Sequence, residues 1–217
     1  MNHPSHSRLL FIGDSITDAG RGPAGEVCPW EPYFGLGQGY VSMTQEWLHA
    51  AHPDAAIRVL NQGVSGNTIR DLAARWETDV LAHTPDVLCI MIGINDVWRQ
   101  FDSPLRLELA VGPEEYRETL ASLVAKAGPS VKAIHLASPY FIEPHPIDTM
   151  RTRMDQYGEI VRQTAASSNA SFIDTQAAFD RVLTHTHPAS LAWDRIHPGH
   201  VGHMIIARAF LQSFGCI

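Results

Sequence analysis

The chain lacks any apolar run long enough to cross a membrane, and it lacks an excess of positive charge. No stretch of its 217 residues approaches the roughly 18 consecutive apolar residues that a membrane helix needs. Lysine and arginine total 16 against 23 aspartate and glutamate residues, for a formal net charge of −7. A protein that tracks nucleic-acid phosphates needs clustered positive charge, and no basic cluster is present. We therefore expect neither a nucleic-acid nor a membrane partner.

Cysteine is scarce as well. Cys28, Cys89 and Cys216 are odd in number and have no metal-type spacing. The first eight residues lack the apolar core of a signal peptide. These features predict a protein of the reducing cytoplasm. Because repeats, low-complexity tracts and linkers are also lacking, we expect a single domain over residues 1–217.

What the chain does contain is a regular alternation of short apolar stretches and helical patterns. The apolar stretches predict strands at 9–12, 57–60, 86–92, 131–137 and 171–173. Helical spacing predicts helices at 40–51, 68–83, 113–126, 149–167, 175–184 and 199–214. This alternation favours an α/β domain with a mostly parallel sheet. Two irregular segments, 20–39 and 98–112, are long enough to be functional loops.

Polar residues with complementary chemistry follow three of the predicted strands. Ser15 follows the first strand, Gly63 the second and Asn95 the third. Ligands of parallel α/β sheets bind at the carboxyl ends of the strands. A serine there is a candidate nucleophile, and the developing oxyanion needs hydrogen-bond donors. The Ser15 N–H, the Gly63 N–H and the Asn95 side-chain amide are our candidates.

A serine is a weak nucleophile without a base, and the C-terminal region offers one. Asp194 and His197 lie three residues apart just before the last predicted helix. Histidine is the usual base for a serine, and a carboxylate fixes its tautomer and stabilises the imidazolium. We therefore predict a triad of Ser15, Asp194 and His197.

Each of these residues also has a purely structural interpretation. Asp14, Ser15 or the Asn95–Asp96 pair could cap helices, and Gly63 and Gly66 could simply form a turn. The segment Asp194-x-x-His197-Pro198 could be a solvated loop. These interpretations would have to hold at four separate places, all at expected strand ends or the C-terminal turn. Catalysis is therefore the favoured interpretation.

Together these segments resemble the four sequence blocks of the SGNH (GDSL-type) hydrolases. The matching residues are Gly13-Asp14-Ser15, Gly63 within Asn-x-Gly-x-Ser-Gly, Gly93-x-Asn95-Asp96 and Asp194-x-x-His197. The resemblance implies a three-layer α/β/α sandwich around a central, mostly parallel five-stranded sheet of flavodoxin-like type. It also implies ester hydrolysis without a cofactor. Ser15 would be the nucleophile, His197 the base and Asp194 its orienting partner, with Ser15, Gly63 and Asn95 as the oxyanion hole.

Three further segments resemble the acetyl-xylooligosaccharide esterases of this family. They are Gly93-Ile94-Asn95-Asp96-Val97-Trp98-Arg99, Met154-Asp155-Gln156-Tyr157-Gly158 and Asp174-Thr175-Gln176-Ala177-Ala178-Phe179. This likeness implies a small acetylated sugar as substrate and a homo-oligomeric enzyme. Candidate substrate contacts are Asp14, Trp98, Tyr140 and Trp193, and Trp30 is a further aromatic that could stack on a sugar. Core packing is the alternative for the aromatic residues.

Three other functions stay open at this point. The histidines His197, His200 and His203, with His185 and His187 upstream, could serve a metal-dependent hydrolase. A non-catalytic carbohydrate-binding module could use the same fold, since a fold does not dictate a function. Among ester hydrolases, a thioesterase or a lysophospholipase is a further alternative.

Overall fold

A computed structural model describes residues 6–27 and 34–217. Within these ranges the strands are β1 (Arg8–Gly13), β2 (Arg58–Gly63), β3 (Val87–Met91), β4 (Ala133–Ala137) and β5 (Ser171–Ile173). They form one sheet in the order β2-β1-β3-β4-β5, and every neighbouring pair is parallel. This strand order is the flavodoxin-like one. The expected parallel five-stranded sheet is confirmed.

Helices cover both faces of the sheet. Those in the described residues are α1 (Ser15–Asp18), α2 (Tyr40–Ala51), α3 (Ile69–Ala74), α4 (Trp76–Asp79), α5 (Ile94–Asp102), α6 (Pro113–Ala127), α7 (Thr149–Ser168), α8 (Thr175–Leu183) and α9 (His200–Ser213). Short 3₁₀ turns occupy Pro53–Ala55, Leu81–His83, Leu107–Leu109 and Pro188–Ser190. Helix α9 packs with α2 and α8, whereas α7 packs with α5 and α6. The result is the expected α/β/α sandwich.

The described residues contain no helix with the length and apolar character that crossing a membrane requires.

Two predicted boundaries were wrong. The helix predicted over 68–83 breaks at Arg75, which has φ −109° and ψ 12°. There the Arg75 guanidinium donates to main-chain carbonyls of the sheet, and no local pattern signals such long-range bonds. The segment predicted as irregular over 98–112 begins as part of α5, so Trp98 stands on a helix. Buried polar residues at Asn95 and Asp96 interrupt the apolar spacing that would have revealed α5.

The register of β1 with its two neighbours, β2 and β3, places the carboxyl ends of these three strands level with one another. Gly13 at the end of β1 pairs with Gly63 of β2 on one side and with Met91 of β3 on the other. The residues that follow these strands therefore start from the same edge of the sheet. For this reason the sheet itself brings the first three sequence blocks together.

Helix α1, which carries Ser15, is fixed to the sheet by buried polar contacts. The Asn61 amide nitrogen donates to the Thr17 carbonyl at 2.7 Å and to the Leu36 carbonyl at 2.8 Å. The Thr17 and Tyr40 hydroxyls are hydrogen-bonded at 2.9 Å. All four side chains are at most 1% exposed. Because buried hydrogen bonds have directional geometry, these contacts set the position of α1 as well as stabilising it.

The close approach of β2 to α1 predicts the effect of a small substitution. A Cβ atom added at Gly63 would lie 2.2 Å from the main-chain nitrogen of Asp18. Because main chain cannot easily yield, we expect Gly63→Ala to lower the free energy of unfolding by about 1–3 kcal/mol or more. Thermal unfolding measures this. Gly112→Ala is the control, because no atom lies within 4 Å of its added Cβ. Equal melting temperatures for the two variants would contradict the packing argument.

Candidate active site

Ser15 is presented by the tight turn between β1 and α1. Asp14 is the N-cap of α1, and its carboxylate accepts a hydrogen bond from the Ile16 main-chain nitrogen at 3.0 Å. Ser15 is then the first helical residue, a position whose N–H has no partner inside the helix. Among the described residues, no group accepts a hydrogen bond from that N–H. The turn therefore leaves both the hydroxyl and the N–H of Ser15 available.

The three residues of the predicted triad are joined by hydrogen bonds. Ser15 Oγ lies 2.9 Å from His197 Nε2, and His197 Nδ1 lies 2.6 Å from Asp194 Oδ2. The other carboxylate oxygen of Asp194 accepts from the main-chain nitrogens of Ile196 at 2.9 Å and His197 at 2.8 Å. Both ring nitrogens and the carboxylate are thus oriented by the turn that carries them.

The surroundings of Asp194 keep it ionised. Partial burial raises the pKa of its carboxyl, but the hydrogen bonds from His197 and Ile196 outweigh burial and hold the pKa below its usual range. A carboxylate in this state favours the His197 tautomer that bears its proton on Nδ1. Nε2 then has a free lone pair facing Ser15, as proton removal requires.

Asn95 lies near the start of α5 and is only 2% exposed. Its amide nitrogen donates to the Asn67 carbonyl at 3.0 Å, and its amide oxygen accepts from Arg99 Nη2 at 3.1 Å. A side-chain amide has two N–H groups, so one remains for a ligand. The structure thus leaves Asn95 with a donor to spare.

Gly63 does not have a free donor, and its predicted place in the oxyanion hole is wrong. Its N–H donates to Asn61 Oδ1 at 2.8 Å. The amide left without a described acceptor in the same turn belongs to Gly66, whose φ is +83°. The turn is held on both sides of Gly66, because Ser65 donates to Asp18 and the Asn67 carbonyl accepts from Asn95. No signal in the sequence separates Gly66 from Gly63, because a glycine at either position can adopt a positive φ.

A family model for the GDSL-like lipase/acylhydrolase family matches residues 11–205. That match covers all the segments that contribute to the geometry described above. The chain belongs to the GDSL-like lipase/acylhydrolase family.

Individual members of the family are similar over nearly the whole chain. An acetylxylan esterase from Geobacillus stearothermophilus is 54% identical over 212 residues, 97% of this chain and 95% of that protein. The crystal structure of Axe2, an acetylxylan esterase from the same organism, superposes with a TM-score of 0.95 at 54% identity, covering 99% of this chain and 97% of that one. Solved Axe2 variants with a serine, an aspartate or a histidine replaced by alanine are described as catalytic mutants.

A third similar structure comes from a different source. LAE5, an alpha/beta hydrolase from the metagenome of Lake Arreo in Spain, has a TM-score of 0.96 and 52% identity, covering 100% of this chain and 98% of that one.

Two of the predicted substrate contacts in this GDSL-family chain are buried. Asp14 and Tyr140 are each 1% exposed. The Tyr140 hydroxyl donates to the Ile196 carbonyl at 3.1 Å, and its ring lies 4.4 Å from that of Phe179. Tyr140 therefore packs in the core and stabilises the turn that carries His197. The prediction that it contacts substrate is wrong. The same correction applies to Asp14, whose carboxylate caps α1.

The two tryptophans among the predicted substrate contacts differ in burial. Trp98 is half-buried, with its ring 5.9 Å from the His197 ring and at 65° to it. Trp193 is 90% exposed, so core packing is excluded for its side chain. Both stay candidates for substrate contact in this GDSL-family member. Trp30, the third tryptophan considered, lies outside the described residues.

A small cleft lies at the C-terminal end of α1, the helix that begins at Ser15. It has a volume of about 230 Å³ and is lined by Asp18, Arg21, Gly22, Pro23, Gly63 and Val64. Arg21 Nε donates to the Gly63 carbonyl at 2.7 Å, which fixes the guanidinium at the cleft. The lining offers charged groups and main-chain atoms to a ligand, and its apolar side chains are those of Pro23 and Val64.

The alternative metal site finds no support in the arrangement of the C-terminal histidines. His203 Nδ1 accepts from the Tyr40 main-chain nitrogen at 3.2 Å, and burial lowers the pKa of its ring to about 4. His197 is already bound to Ser15 and Asp194. Over residues 6–27 and 34–217, no three side chains of His, Cys, Asp or Glu are grouped so that they could hold a metal ion.

Asp96 is a buried carboxyl beside Asn95 and predicts an unusual pH dependence of stability. Its Oδ1 accepts from the Ile69 main-chain nitrogen at 3.0 Å, while Oδ2 has no hydrogen-bond partner in the described residues. Burial raises the pKa of this carboxyl to about 7. Between the unfolded value of about 3.9 and that value, the folded chain holds a proton that the unfolded chain has lost. Stability contributed by the protonated group is therefore lost as pH rises.

Asp96→Asn removes this titration while keeping an oxygen for Ile69. We expect the free energy of unfolding of the variant to rise by about 2–3 kcal/mol relative to that of the unsubstituted chain between pH 5 and pH 8. The linkage acts over the roughly two pH units between pH 5 and the folded pKa of about 7. Chemical denaturation at both pH values measures the difference. Asp54→Asn, at an exposed position, is the control. A pH-independent effect of Asp96→Asn would show that Asp96 is ionised in the folded chain.

Proposed function

We propose that this chain is a serine esterase that removes acetyl groups from acetylated xylooligosaccharides. The observation that carries the proposal is the continuous series of hydrogen bonds from Ser15 through His197 to Asp194 at the carboxyl edge of the sheet. A hydroxyl, an imidazole and an ionised carboxylate in this order are the components that activate a serine for acyl transfer.

In the first half of the reaction, Ser15 Oγ attacks the acetyl carbonyl carbon. His197 Nε2 takes the hydroxyl proton as the Oγ–C bond forms, and the Asp194 carboxylate stabilises the resulting imidazolium. The tetrahedral intermediate then collapses, and the sugar leaves as an alcohol after receiving that proton from His197. An acetyl group remains on Ser15.

The oxyanion of that intermediate needs fixed donors, and we assign three to it. The Ser15 N–H and the remaining N–H of the Asn95 amide have no described acceptor. The Gly66 N–H replaces the Gly63 N–H as the third donor. Because these groups are held by the fold before the substrate arrives, they stabilise charge without reorganising in the transition state.

In the second half, a water molecule takes the place of the sugar. His197 removes a proton from the water as its oxygen attacks the acetyl carbon, and the same oxyanion hole receives the charge. Collapse of the intermediate breaks the bond to Ser15 Oγ, which recovers its proton from His197. Acetate leaves, and every group returns to its starting state.

The substrate class follows from the relatives and from the character of the site. Acetylxylan esterases at 54% identity point to acetylated xylan fragments. The cleft at the end of α1 offers Asp18 and Arg21, groups that suit sugar hydroxyls better than a lipid chain. Trp98 supplies an aromatic face 5.9 Å from the His197 ring, and Trp193, which precedes the Asp194 turn in the chain, supplies an exposed one. A thioesterase or a lysophospholipase would use the same triad, and the substrate experiment below separates the three activities.

The role of Ser15 predicts both labelling and loss of turnover. We expect a fluorophosphonate to label the chain once, and Ser15→Ala to abolish the label and nearly all hydrolysis of an acetyl ester. Losing a nucleophile typically leaves only residual catalysis from binding and the oxyanion hole. Ser42→Ala, on α2, is the matched control and should keep both properties. A folded Ser15→Ala variant that retains most of its activity would sink the assignment, and an unlabelled wild-type chain would favour a non-catalytic module.

The apolar side chains of the described cleft are only Pro23 and Val64, and so short an apolar lining predicts a strong preference for short acyl chains. We expect kcat/KM for acetylated xylooligosaccharides to exceed that for octanoyl esters of the same sugars by at least about 100-fold. Each buried methylene is worth only about 0.8 kcal/mol, so an acetyl-sized site rejects long chains mainly through steric clash. A panel of acetyl, butyryl and octanoyl esters with an acyl-CoA measures this. Equal values for acetyl and octanoyl esters, or preference for the acyl-CoA, would contradict deacetylation.

Two further features stay predictions of the sequence. A cytoplasmic location accords with the free thiols of Cys89 and Cys216, since disulfides are rare in reducing compartments. A homo-oligomer is expected from the resemblance to the xylooligosaccharide esterases, and light scattering would measure the number of subunits.

A further inference from the structure

We propose that Arg99 is a positioning residue of the oxyanion hole, acting through Asn95. Its guanidinium holds the Asn95 side-chain amide in the one orientation that directs the free N–H toward the oxyanion. This inference rests on the proposed function, because it assigns Asn95 to the charge that develops during ester hydrolysis.

The contacts of Asn95 determine the positions of its amide oxygen and its amide nitrogen. Arg99 stands one helical turn after Asn95 on α5, and its Nη2 donates to Asn95 Oδ1 at 3.1 Å. On the other side, Asn95 Nδ2 donates to the Asn67 carbonyl at 3.0 Å. A guanidinium can only donate and a carbonyl can only accept. A flipped amide would place N–H against N–H and oxygen against oxygen, so both contacts enforce the same orientation.

Arg99 is itself held in place by two further contacts. Its Nη1 is paired with the Asp102 carboxylate, three residues later on the helix. Its guanidinium carbon lies 4.6 Å from the centre of the Trp98 ring, within the range of a cation–π contact. The Arg99 side chain is 26% exposed, which is low for an arginine near a helix end. The positive charge is therefore kept beside the amide.

The charge of Arg99 also changes the amide electronically. A cation bonded to the amide oxygen draws electron density away from the nitrogen, and hydrogen bonds in series strengthen one another. The remaining N–H of Asn95 becomes a stronger donor toward the oxyanion. The effect grows as negative charge develops on the substrate, so it acts on the transition state more than on the bound substrate.

Arg99→Ala and Arg117→Ala form a matched pair of variants. Arg117 also pairs with a carboxylate three residues away on its helix, Glu114, and donates to a side-chain amide oxygen, that of Gln163. We expect Arg99→Ala to lower kcat roughly 10-fold, less than the 10²–10³-fold loss for removing a direct donor. KM should stay within about twofold, because the effect lies in the transition state. Arg99→Lys should recover part of the loss and Arg117→Ala should change neither constant. A change confined to KM, or equal effects at both arginines, would overturn the inference.

A double substitution decides whether Arg99 acts through Asn95. In the Asn95→Ala background no amide remains to be oriented, so adding Arg99→Ala should lower kcat no further. Two residues that act on one interaction are non-additive in this way. If Arg99→Ala instead costs the same factor in both backgrounds, Arg99 acts independently of Asn95 and the inference fails.

A readout that needs no turnover separates this inference from the proposed function. The Asn95 side-chain amide gives an NMR signal pair that disappears in Asn95→Ala and is thereby assigned. We expect Arg99→Ala to shift that pair upfield in nitrogen and to broaden it, while Arg117→Ala leaves it unchanged. An unshifted pair in Arg99→Ala would overturn the positioning role. Failure of Ser15→Ala to abolish hydrolysis would count against the esterase mechanism alone.

Discussion

The hydrogen bonds of one fully buried side-chain amide, Asn61, hold the active-site edge together. Its nitrogen donates to the carbonyls of Thr17 and Leu36, and its oxygen accepts from the Gly63 N–H. Asn61 thereby ties the end of β2, helix α1 and the incoming loop into one unit. A buried amide with unsatisfied groups would cost free energy, so the three contacts are mutually dependent. The position of Ser15 relative to the turn after β2 depends on them.

Two buried carboxyl groups, those of Asp14 and Asp96, lie at the same edge of the sheet and lower the stability of the fold. Burial raises the pKa of both Asp14 and Asp96 to about 7, and one oxygen of Asp96 has no described hydrogen-bond partner. Each carboxyl nevertheless accepts a main-chain N–H at the start of a helix, α1 for Asp14 and α3 for Asp96. Ser15 is the first residue of α1, and Asn67 lies just before the start of α3. Burying these carboxyls lowers the free energy of unfolding, while their hydrogen bonds fix the turns at this edge of the sheet. Such a local cost in stability is typical of functional sites.

Three residues of the proposed site lie within two turns of helix α5. Asn95 is the proposed oxyanion donor, Arg99 donates to its amide oxygen, and Trp98 lies beside both the guanidinium and the His197 ring. Helical spacing explains the grouping, since residues three and four apart lie on the same side. An unstrained helix fixes side chains more precisely than a loop does, so the proposed oxyanion donor gains rigidity from its location on α5.

The sequence alone determined the layout of the fold and pointed to the three residues, Ser15, His197 and Asp194, that the structure joins by hydrogen bonds. Apolar strands ending in glycine, helical spacing between them and the Asp194-x-x-His197 turn are local patterns, and parallel pairing brings their ends to one edge. Tertiary structure decided which donors are free and which side chains are buried. Gly63 and Gly66 look alike in the sequence, but only contact with Asn61 occupies the Gly63 N–H. Likewise Tyr140 is an aromatic near a strand end until packing on Phe179 places it in the core. Hydrogen-bond partners and burial depend on residues distant in the chain, which local patterns do not encode.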